Sequence, residues 1–319
     1  MTRFALSFTA LAAILALLPG APAQALNAKS WLSNTGNDAN DCTLAHPCAT
    51  FQRAHDQTAS GGEIGVLTPG DYVGPTITKS VHITNDGTGE ATIATGVTNT
   101  AIFISLGAGD VVSLRGLVLD GRGTWPFGIG FNGLALHVQS CVIKNFTHEA
   151  VVFVAQATDQ LFMSDSLIVN NGSDSASVAI SIRPATTGHA SVVLDRVHVE
   201  NNVHGLVIDG TLSTGAGAHV IVRDSVFSGN AGNAIRAVSA PGDAPAFALV
   251  ERSSMVNNLQ NGLLADGPRA TMLLKRNTIT RNGAGMSAAN GGQLISYGNN
   301  TNNNNIGPEG APTGSLSQM

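Results

Sequence analysis

The chain has 319 residues, of which 12% are charged, 43% are hydrophobic and 37 are glycine. The hydrophobic content and the low formal net charge of -5 argue against a disordered chain, and the many glycines suit a turn-rich β protein better than a helical bundle. No run of Lys or Arg is present to form the basic surface that nucleic acids attract, so no nucleic-acid partner is expected.

The first 25 residues have the features of a signal peptide. Arg3 supplies an early positive charge, residues 6–18 form a short apolar run, and small residues at 21–25 provide cleavage sites. We therefore predict residues 1–25 to be a signal peptide, with the mature chain starting near Gln24 or Leu26. The apolar run is too short to span a bilayer, and no later stretch has the composition of a transmembrane segment. An exported protein is expected, either secreted, periplasmic or at the cell surface.

Residues 26–62 are predicted to form a disulfide loop followed by a capping helix. Cys42 and Cys48 are six positions apart, and an exported chain can oxidise them, so we expect them to form a disulfide. Cys141 is then left unpaired, and its strand pattern indicates a small buried residue rather than a nucleophile. Residues 50–60 are predicted to be a short helix with Thr50 as its N-cap, covering the open end of the β structure that follows.

A repeat of 21 to 30 residues occupies most of residues 63–305. Six segments share a frame that ends in asparagine, at Asn171, Asn201, Asn230, Asn258, Asn282 and Asn303. An apolar run precedes each frame and a second one follows it, as in SVVL (191–194) and GLVI (205–208). Each unit therefore contains three short strands. No helical i, i+3, i+4 spacing accompanies them, which disfavours the alternative of a leucine-rich or helical repeat.

Three short strands per unit predict one turn of a three-sided coil. A short strand cannot bury its face alone, so stacked coils should pair each strand in parallel with its equivalents about 4.8 Å above and below. We predict about nine coils in a rod roughly 40–45 Å long, with aligned Ile, Val and Leu inside and a column of asparagines whose amides bond to one another. Residues 306–319 lose the apolar pattern and are expected to be a tail.

Three features resemble the pectate-lyase-like right-handed parallel β-helix superfamily: PCATFQRA (47–54), LTPGDYVG (67–74) and the later units ending in asparagine. The resemblance implies an all-β fold, a right-handed three-sided parallel β-helix with a short N-terminal capping helix. It implies no single activity, because that superfamily includes polysaccharide lyases, galacturonases, pectin esterases, alginate epimerases and phage tailspikes. A polysaccharide or a cell-surface glycan is the expected partner.

The strong catalytic motifs of those enzymes are missing from the sequence. A galacturonase-like hydrolase would need several aspartates on adjacent coils, usually with an Asp-Asp pair, and the chain contains no Asp-Asp. A pectate-lyase-like site would need a calcium cluster of carboxylates beside a catalytic Arg, and the sequence shows no dense carboxylate cluster. No cofactor and no metal ligands are therefore assigned, and calcium stays open without a ligand cluster to support it.

Candidate catalytic residues come from one column of the predicted coil. At the end of the third strand, Arg183 and Asp209 should lie one coil apart, and Asp209 and Asp266 two coils apart, roughly 10 Å between backbones. Such a spacing approaches that of an inverting carboxylate pair, and the longest loops of the repeat lie beside it. The alternative is an exposed ion pair with turn aspartates, a common surface feature that contributes little.

A second candidate site lies in the loop DGRGTWPFG (120–128). Arg122, Trp125 and Phe127 are predicted to contact carbohydrate, with Trp125 stacking on a sugar ring. In the alternative, Trp125 folds back over the coil and covers apolar surface. Another column contains Arg223, Glu251 and Lys275, and we expect it to be a solvated ladder of charges without a catalytic role.

Three functions fit this sequence. The first is an exported β-helix that binds polysaccharide without turnover. The second is a polysaccharide-degrading enzyme, a lyase or a glycoside hydrolase, that uses Arg183, Asp209 and Asp266. The third is a structural surface rod with no ligand. Reaction products from pectate, alginate or a glycosaminoglycan would distinguish the second from the first, and glycan binding would distinguish the first from the third.

Overall fold

The computed structural model describes residues 25–96 and 99–317. The predicted signal peptide, residues 1–25, lies outside the described residues except for its last position. The described part contains one helix, α1 (Phe51–Gln57), and 31 strands, which form three sheets of parallel strands. No helix in this part is long and apolar enough to cross a membrane.

Each sheet collects one strand from every turn of the chain. Sheet A contains β1 (Asn27–Leu32), β2 (Thr58–Val66), β5 (Val81–Thr84), β8 (Val111–Arg115), β11 (Ala135–Gln139), β14 (Thr158–Ser164), β17 (His189–Asp195), β20 (Gly217–Arg223), β23 (Ala246–Glu251), β26 (Ala270–Lys275), β29 (Gln293–Ser296) and β31 (Gly314–Ser315). Sheet B contains β3 (Gly70–Val73), β6 (Ala91–Thr95), β9 (Val118–Asp120), β12 (Val142–Lys144), β15 (Leu167–Val169), β18 (His198–Glu200), β21 (Val226–Ser228), β24 (Ser254–Val256), β27 (Thr278–Thr280) and β30 (Thr301–Asn302). Sheet C contains β4 (Thr76–Ile77), β7 (Thr100–Ser105), β10 (Phe127–Asn132), β13 (Val151–Phe153), β16 (Val178–Ile182), β19 (His204–Asp209), β22 (Ile235–Val238), β25 (Asn261–Asp266) and β28 (Ala284–Ala289).

The chain visits sheets A, B and C in turn. Strands β2 to β28 therefore form nine complete coils within the described residues, and β29 and β30 begin a tenth. The right-handed three-sided parallel β-helix predicted from the sequence is confirmed. Sequence-adjacent strands lie in different sheets, and each strand pairs with its equivalent one coil away, so register along each sheet decides which side chains are neighbours.

The core lies inside the coil because alternate side chains on every strand point inward. In sheet C, Ile180 is in register between Val151 and Leu206, and all three side chains are fully buried. Burying one such aliphatic side chain contributes about 1.5–3 kcal/mol, and stacking extends the same apolar column from coil to coil. A single coil has no partner for its inner face, which is why the fold needs many of them.

An asparagine ladder runs along the corner after sheet B. The side-chain amide of Asn230 donates to Asn258 Oδ1 (2.8 Å), and that of Asn258 donates to Asn282 Oδ1 (2.8 Å). The ladder also includes Asn171, Asn202 and Asn305. Each amide bonds backbone as well; the Asn230 amide donates to the Val199 carbonyl oxygen. Polar groups buried at the corner are thus paired, as a low-dielectric interior requires.

The predicted column was wrong by one or two positions at two of its members. Asn202 and Asn305 belong to the ladder, whereas Asn201 and Asn303 do not. The reason is backbone conformation. Asn201 has a φ of 54°, so it occupies the left-handed corner that asparagine tolerates, and the next residue points inward. Asn257 has the same conformation (φ 58°) immediately before the ladder residue Asn258.

The predicted helix and an additional strand both lie against the first strands of the coil. The side chain of Thr50 accepts a hydrogen bond from the Arg53 backbone N–H (3.1 Å), which is the predicted N-cap. Phe51 and Ala54 are fully buried. The helix ends at Gln57, three residues earlier than predicted, because the next residue begins β2. Strand β1 pairs with β2 and protects the first edge of sheet A, a strand that the sequence did not reveal.

Two further predictions concern the cysteines and the C-terminus. Cys42 and Cys48 form the expected disulfide, with a Cα–Cα distance of 4.8 Å. Cys141 is a free, buried cysteine, and burial raises the pKa of its thiol to about 11. Residues 306–319, predicted to be a tail, contain β31, which pairs with β29 at the far edge of sheet A.

Candidate functional site on the outer face of sheet C

The outer face of sheet C carries a groove that contains two of the three candidate catalytic residues. We call it the sheet C groove; its lining includes Phe103, Phe127, Glu149, Ser181, Arg183, His204, Asp209 and Arg236. These side chains point outward because the strands alternate. In β19, Ile208 is fully buried in the core, whereas its neighbours Val207 and Asp209 are partly exposed. The groove runs along the solenoid axis across several coils.

One end of the groove is apolar and aromatic. It is a cavity of about 240 Å³ lined by Phe103, Phe127 and Phe131 among others. Gly130 lies in register between Phe103 and Val152. A Cβ atom at Gly130 would lie 3.3 Å from the Phe103 ring, so the absence of a side chain leaves the space beside the ring open.

Arg183 joins this apolar cavity to a second, polar one, since its side chain lines both. The guanidinium forms an ion pair with Glu149. Its Nε atom also donates to Ser181 Oγ (2.6 Å). The Glu149 side chain is only 12% exposed, so the attraction between the two charges is less screened by water. Arg183 is therefore held in a fixed orientation at the centre of the groove.

The second cavity, of about 250 Å³, is lined by Ser181, Arg183, His204, Asp209 and Arg236. Charges of both signs therefore alternate along the groove. Oppositely charged groups at a partly exposed surface offer charge-assisted hydrogen bonds to a ligand rich in hydroxyl groups.

His204 is neutral and has both ring nitrogens engaged. The Asn233 backbone N–H donates to Nδ1 (3.0 Å), so Nε2 carries the proton and donates to the Ser175 carbonyl oxygen (3.1 Å). Burial lowers the pKa of His204 and the nearby Arg236 charge lowers it further, against a hydrogen bond to Ser175 that raises it. An imidazole that is already saturated in this way has no nitrogen left to accept a proton from a substrate.

Register places the three candidate catalytic residues where the sequence predicted, yet their contacts differ. Asp209 lies beside Val238, and Val238 lies beside Asp266. Two strand spacings separate the two aspartate backbones, about 10 Å. Arg183 pairs with Glu149 rather than with Asp209. Asp266 is absent from the lining of both cavities among the described residues.

The two aspartates have different partners. Asp209 Oδ1 accepts hydrogen bonds from the backbone N–H (2.9 Å) and the hydroxyl (2.6 Å) of Thr211. Asp266 accepts from Asn290 Nδ2 (2.8 Å) and from Arg236 Nη2 (2.8 Å). These hydrogen bonds lower the pKa of Asp266, with Asn290 as the larger cause. A general acid needs a raised pKa, so Asp266 is poorly suited to protonate a leaving group.

The three predicted carbohydrate-contact residues do not lie together. Phe127 lines the apolar end of the sheet C groove. Arg122 forms an ion pair with Asp71 and lines a separate cavity at the corner between sheets B and C. Trp125 is only partly buried but packs against the hydrophobic core, which corresponds to the alternative in which it folds back over the coil. Only Phe127 is placed near Arg183.

The sequence analysis did not identify several groove residues as ligand contacts. Phe103, Ser181 and Arg236 belong to one outward column, two strand positions before the column of Arg183 and Asp209. Counting back two positions along each strand of sheet C would have found them. Glu149 lies just before β13, and Arg183 lies just after β16 on the next coil. Their pairing depends on side-chain conformations that the sequence does not show.

Metal ligands remain unassigned. Among the described residues, no group of three or more His, Cys, Asp or Glu side chains is arranged to share a metal ion. The expectation about calcium stays a prediction.

Comparison with known proteins supports the fold and no more. No protein-family model and no curated protein sequence matches the chain. Among solved structures, the chain is similar to ORF18 of Geobacillus virus E2, at 11% identity and a TM-score of 0.52. That match covers 100% of this chain, which spans 65% of the length of ORF18.

Two other structures are similar at lower TM-scores. The A-module of mannuronan C-5 epimerase AlgE4 from Azotobacter vinelandii has 13% identity and a TM-score of 0.49, over 81% of this chain and 91% of that one. Pectate lyase Pel9A has 13% identity and a TM-score of 0.44, over 87% and 79%. Fold and groove together define the chain as a parallel β-helix protein with an open, mixed-polarity groove along one outer face.

Proposed function

We propose that this protein is exported and binds a polysaccharide in the sheet C groove without turnover. The observation that carries the proposal is the position of Arg183, which joins an aromatic cavity and a polar cavity into one groove along the solenoid axis. From Phe103 to Arg236 the groove crosses five inter-coil steps, about 24 Å. That length suits an extended chain of several sugar units better than a single small molecule.

The two ends of the groove match the two kinds of surface that a sugar presents. The apolar ring faces of a pyranose pack on aromatic side chains, here Phe103 and Phe127. Its hydroxyl groups form hydrogen bonds with charged side chains, here Arg183, Asp209 and Arg236. Alternating charges favour a ligand with many hydroxyl groups over one with a single strong charge.

The absence of turnover is inferred from the state of the titratable groups. His204 is neutral and saturated with hydrogen bonds, and Asp266 is held by Arg236 and Asn290 with a lowered pKa. Neither is prepared to exchange a proton with a substrate. Export is supported by the Cys42–Cys48 disulfide, because such bonds persist in oxidising compartments.

Affinity gel electrophoresis against a panel of neutral and acidic polysaccharides tests this proposal. Phe103→Ala and Asp209→Asn each remove one groove contact, and neither side chain belongs to the core. We expect each to weaken binding of the retarding polysaccharide roughly tenfold, the effect of losing about 1.4 kcal/mol. Arg115→Ala is the matched control, because Arg115 is exposed on the outer face of sheet A.

Product assays on the same polysaccharides separate binding from catalysis. New reducing ends or new double bonds, lost in Asp209→Asn, would replace binding by the enzyme alternative. Failure to bind any polysaccharide would contradict the proposal and favour a structural rod. Equal weakening by Arg115→Ala would move the binding site away from sheet C.

A further inference from the structure

The outer face of sheet A carries a column of apolar side chains, although the outward positions of a solvated sheet are normally polar. Its members are in register on six successive strands: Phe162, Val193, Ile221, Leu249, Leu273 and Ile295. All point away from the core, and Ile221 is 38% exposed. Contiguous apolar surface of this kind is a feature of protein–protein contact sites. We call it the sheet A stripe.

A charged column and a mostly polar column flank the sheet A stripe. At the carboxyl ends of the strands, the flanking charged column runs Asp195, Arg223, Glu251, Lys275. At the amino ends, the second column runs Gln160, Ser191, His219, Phe247, Thr271, Gln293. The charged column alternates in sign from coil to coil, so it is negative, positive, negative, positive.

We propose that a second copy of this chain docks on the sheet A stripe through a two-fold axis parallel to the strands, between β20 and β23. This rotation reverses the solenoid direction but keeps each column opposite itself. Arg223 then faces Glu251 of the other copy, and Asp195 faces Lys275, so every charge in the column meets its opposite. The charge pattern is thus self-complementary about one particular centre.

The same centre matches the other two columns. In the apolar column, Ile221 faces Leu249 of the other copy, Val193 faces Leu273, and Phe162 faces Ile295. In the amino-end column, His219 faces Phe247, and the remaining pairs are Gln160 with Gln293 and Ser191 with Thr271. A two-fold axis along the solenoid instead would set Arg223 opposite His219 and leave all four charges without a charged partner.

The two cations of the column are free enough to reach across, whereas the carboxylates of Asp195 and Glu251 are 13% and 18% exposed. Within one chain, Arg223 lies 3.2 Å from Asp195 and Lys275 lies 4.0 Å from Glu251, and the two cations are 45% and 41% exposed. The long contacts of the two exposed cations within one chain contribute little by themselves, so sharing these cations with a second copy costs little.

The area of contact predicts a reversible dimer. Six coils span about 24 Å and a seven-residue strand spans about 20 Å, which gives roughly 1,000 Å² buried over both copies. That value lies at the lower end of specific interfaces, so the dimer should form with increasing concentration rather than be permanent.

Sedimentation equilibrium over a dilution series tests the proposal with two charge reversals. Arg223→Glu and Glu251→Arg should each raise the dimer dissociation constant roughly tenfold or more, because each homodimer sets like charges opposite one another twice. An equimolar mixture of the two variants should regain the wild-type dissociation constant, because both contacts in the heterodimer then join opposite charges. Arg115→Glu, on the same face but outside the six coils, is the control and should dimerise as the wild type does.

The mixing experiment separates the proposed contact from a folding defect. Outward charge reversals that merely damaged the fold would not regain association on mixing, and far-ultraviolet circular dichroism of each variant checks this directly. A wild-type chain that is monomeric at every concentration would overturn the proposal and leave the sheet A stripe to another occupant. Failure of the mixture to associate would overturn the proposed register.

Discussion

The asparagine ladder gives the sharpest prediction about stability, and Asn230 is the residue to change. Its side chain is fully buried. Its Oδ1 atom accepts from the Asn202 backbone N–H (3.0 Å) and from the Asn202 amide (3.3 Å), while its own amide donates to Val199 and Asn258. Asn230→Ala therefore removes four hydrogen bonds in a place from which water is excluded.

The cost follows from which groups lose their last partner. The Asn202 amide keeps its bonds to Ile168 and Glu200, and Asn258 Oδ1 keeps its bond from the backbone N–H of residue 230. Only the Asn202 backbone N–H loses its last partner, because Val199 also pairs with Phe227 in the backbone ladder of sheet B. At about 1–3 kcal/mol for this buried unpaired N–H, plus a small cavity, we expect Asn230→Ala to lower the free energy of unfolding by about 2–4 kcal/mol.

Urea unfolding followed by far-ultraviolet circular dichroism measures this difference. Asn201→Gly is the control, because Asn201 is exposed and its φ of 54° suits glycine, so it should stay within about 0.5 kcal/mol of the wild type. Because solenoids can unfold in parts, the free energies of unfolding are compared only between variants whose urea m-values agree. Equal stability of Asn230→Ala and the wild type would refute the ladder as a source of stability.

Three other properties follow from the structure. Burial raises the pKa of Cys141 to about 11, so a thiol reagent should label it only after denaturation; rapid labelling of the folded chain would contradict its burial. A Cβ atom at Gly74 would lie 1.7 Å from the Ala101 carbonyl oxygen. Gly74→Ala should therefore lower the free energy of unfolding in urea by about 3 kcal/mol. An unchanged unfolding midpoint would contradict this close approach. The pKa of His204 is lowered from its ordinary value of 6.5, first by burial, so the unfolded chain binds a proton more readily than the folded one. The contribution of neutral His204 to the free energy of unfolding should therefore be fully present above pH 6.5 and be lost as the pH falls through the folded-state pKa. The free energy of unfolding should fall less steeply with decreasing pH in His204→Asn, and identical slopes would contradict this.

Much of the fold could be predicted from the sequence because every coil repeats the same pattern of strands and corners. The column containing Asp209, Val238, Asp266 and Ala289 is the column that strand pairing shows. Counting residues from a shared corner is enough to set register when every coil obeys the same geometry. The corner itself was misplaced at Asn201, because two successive asparagines gave no sign of which one takes the left-handed conformation.

The parts that sequence reasoning missed lie outside the repeat or depend on side-chain conformation. Strands β1 and β31 cover the two edges of sheet A, yet neither belongs to a repeat unit. The partner of Arg183 could not be deduced, since Glu149 and Asp209 are both within one coil of it and only rotamers decide between them. The sheet A stripe was visible as apolar residues but not as an outward column, because short strands leave the inward face ambiguous.

The central claim is that equivalent residues of successive coils stack in parallel register, and one distance measures it. Val152 and Ser287 occupy the same outward column of sheet C, five coils apart. Spin labels on Val152→Cys and Ser287→Cys, diluted with unlabelled chain, should give an electron–electron distance near 24 Å, five steps of about 4.8 Å. A distance of about 40–50 Å, as five helical repeats packed side by side would give, would contradict the parallel coil.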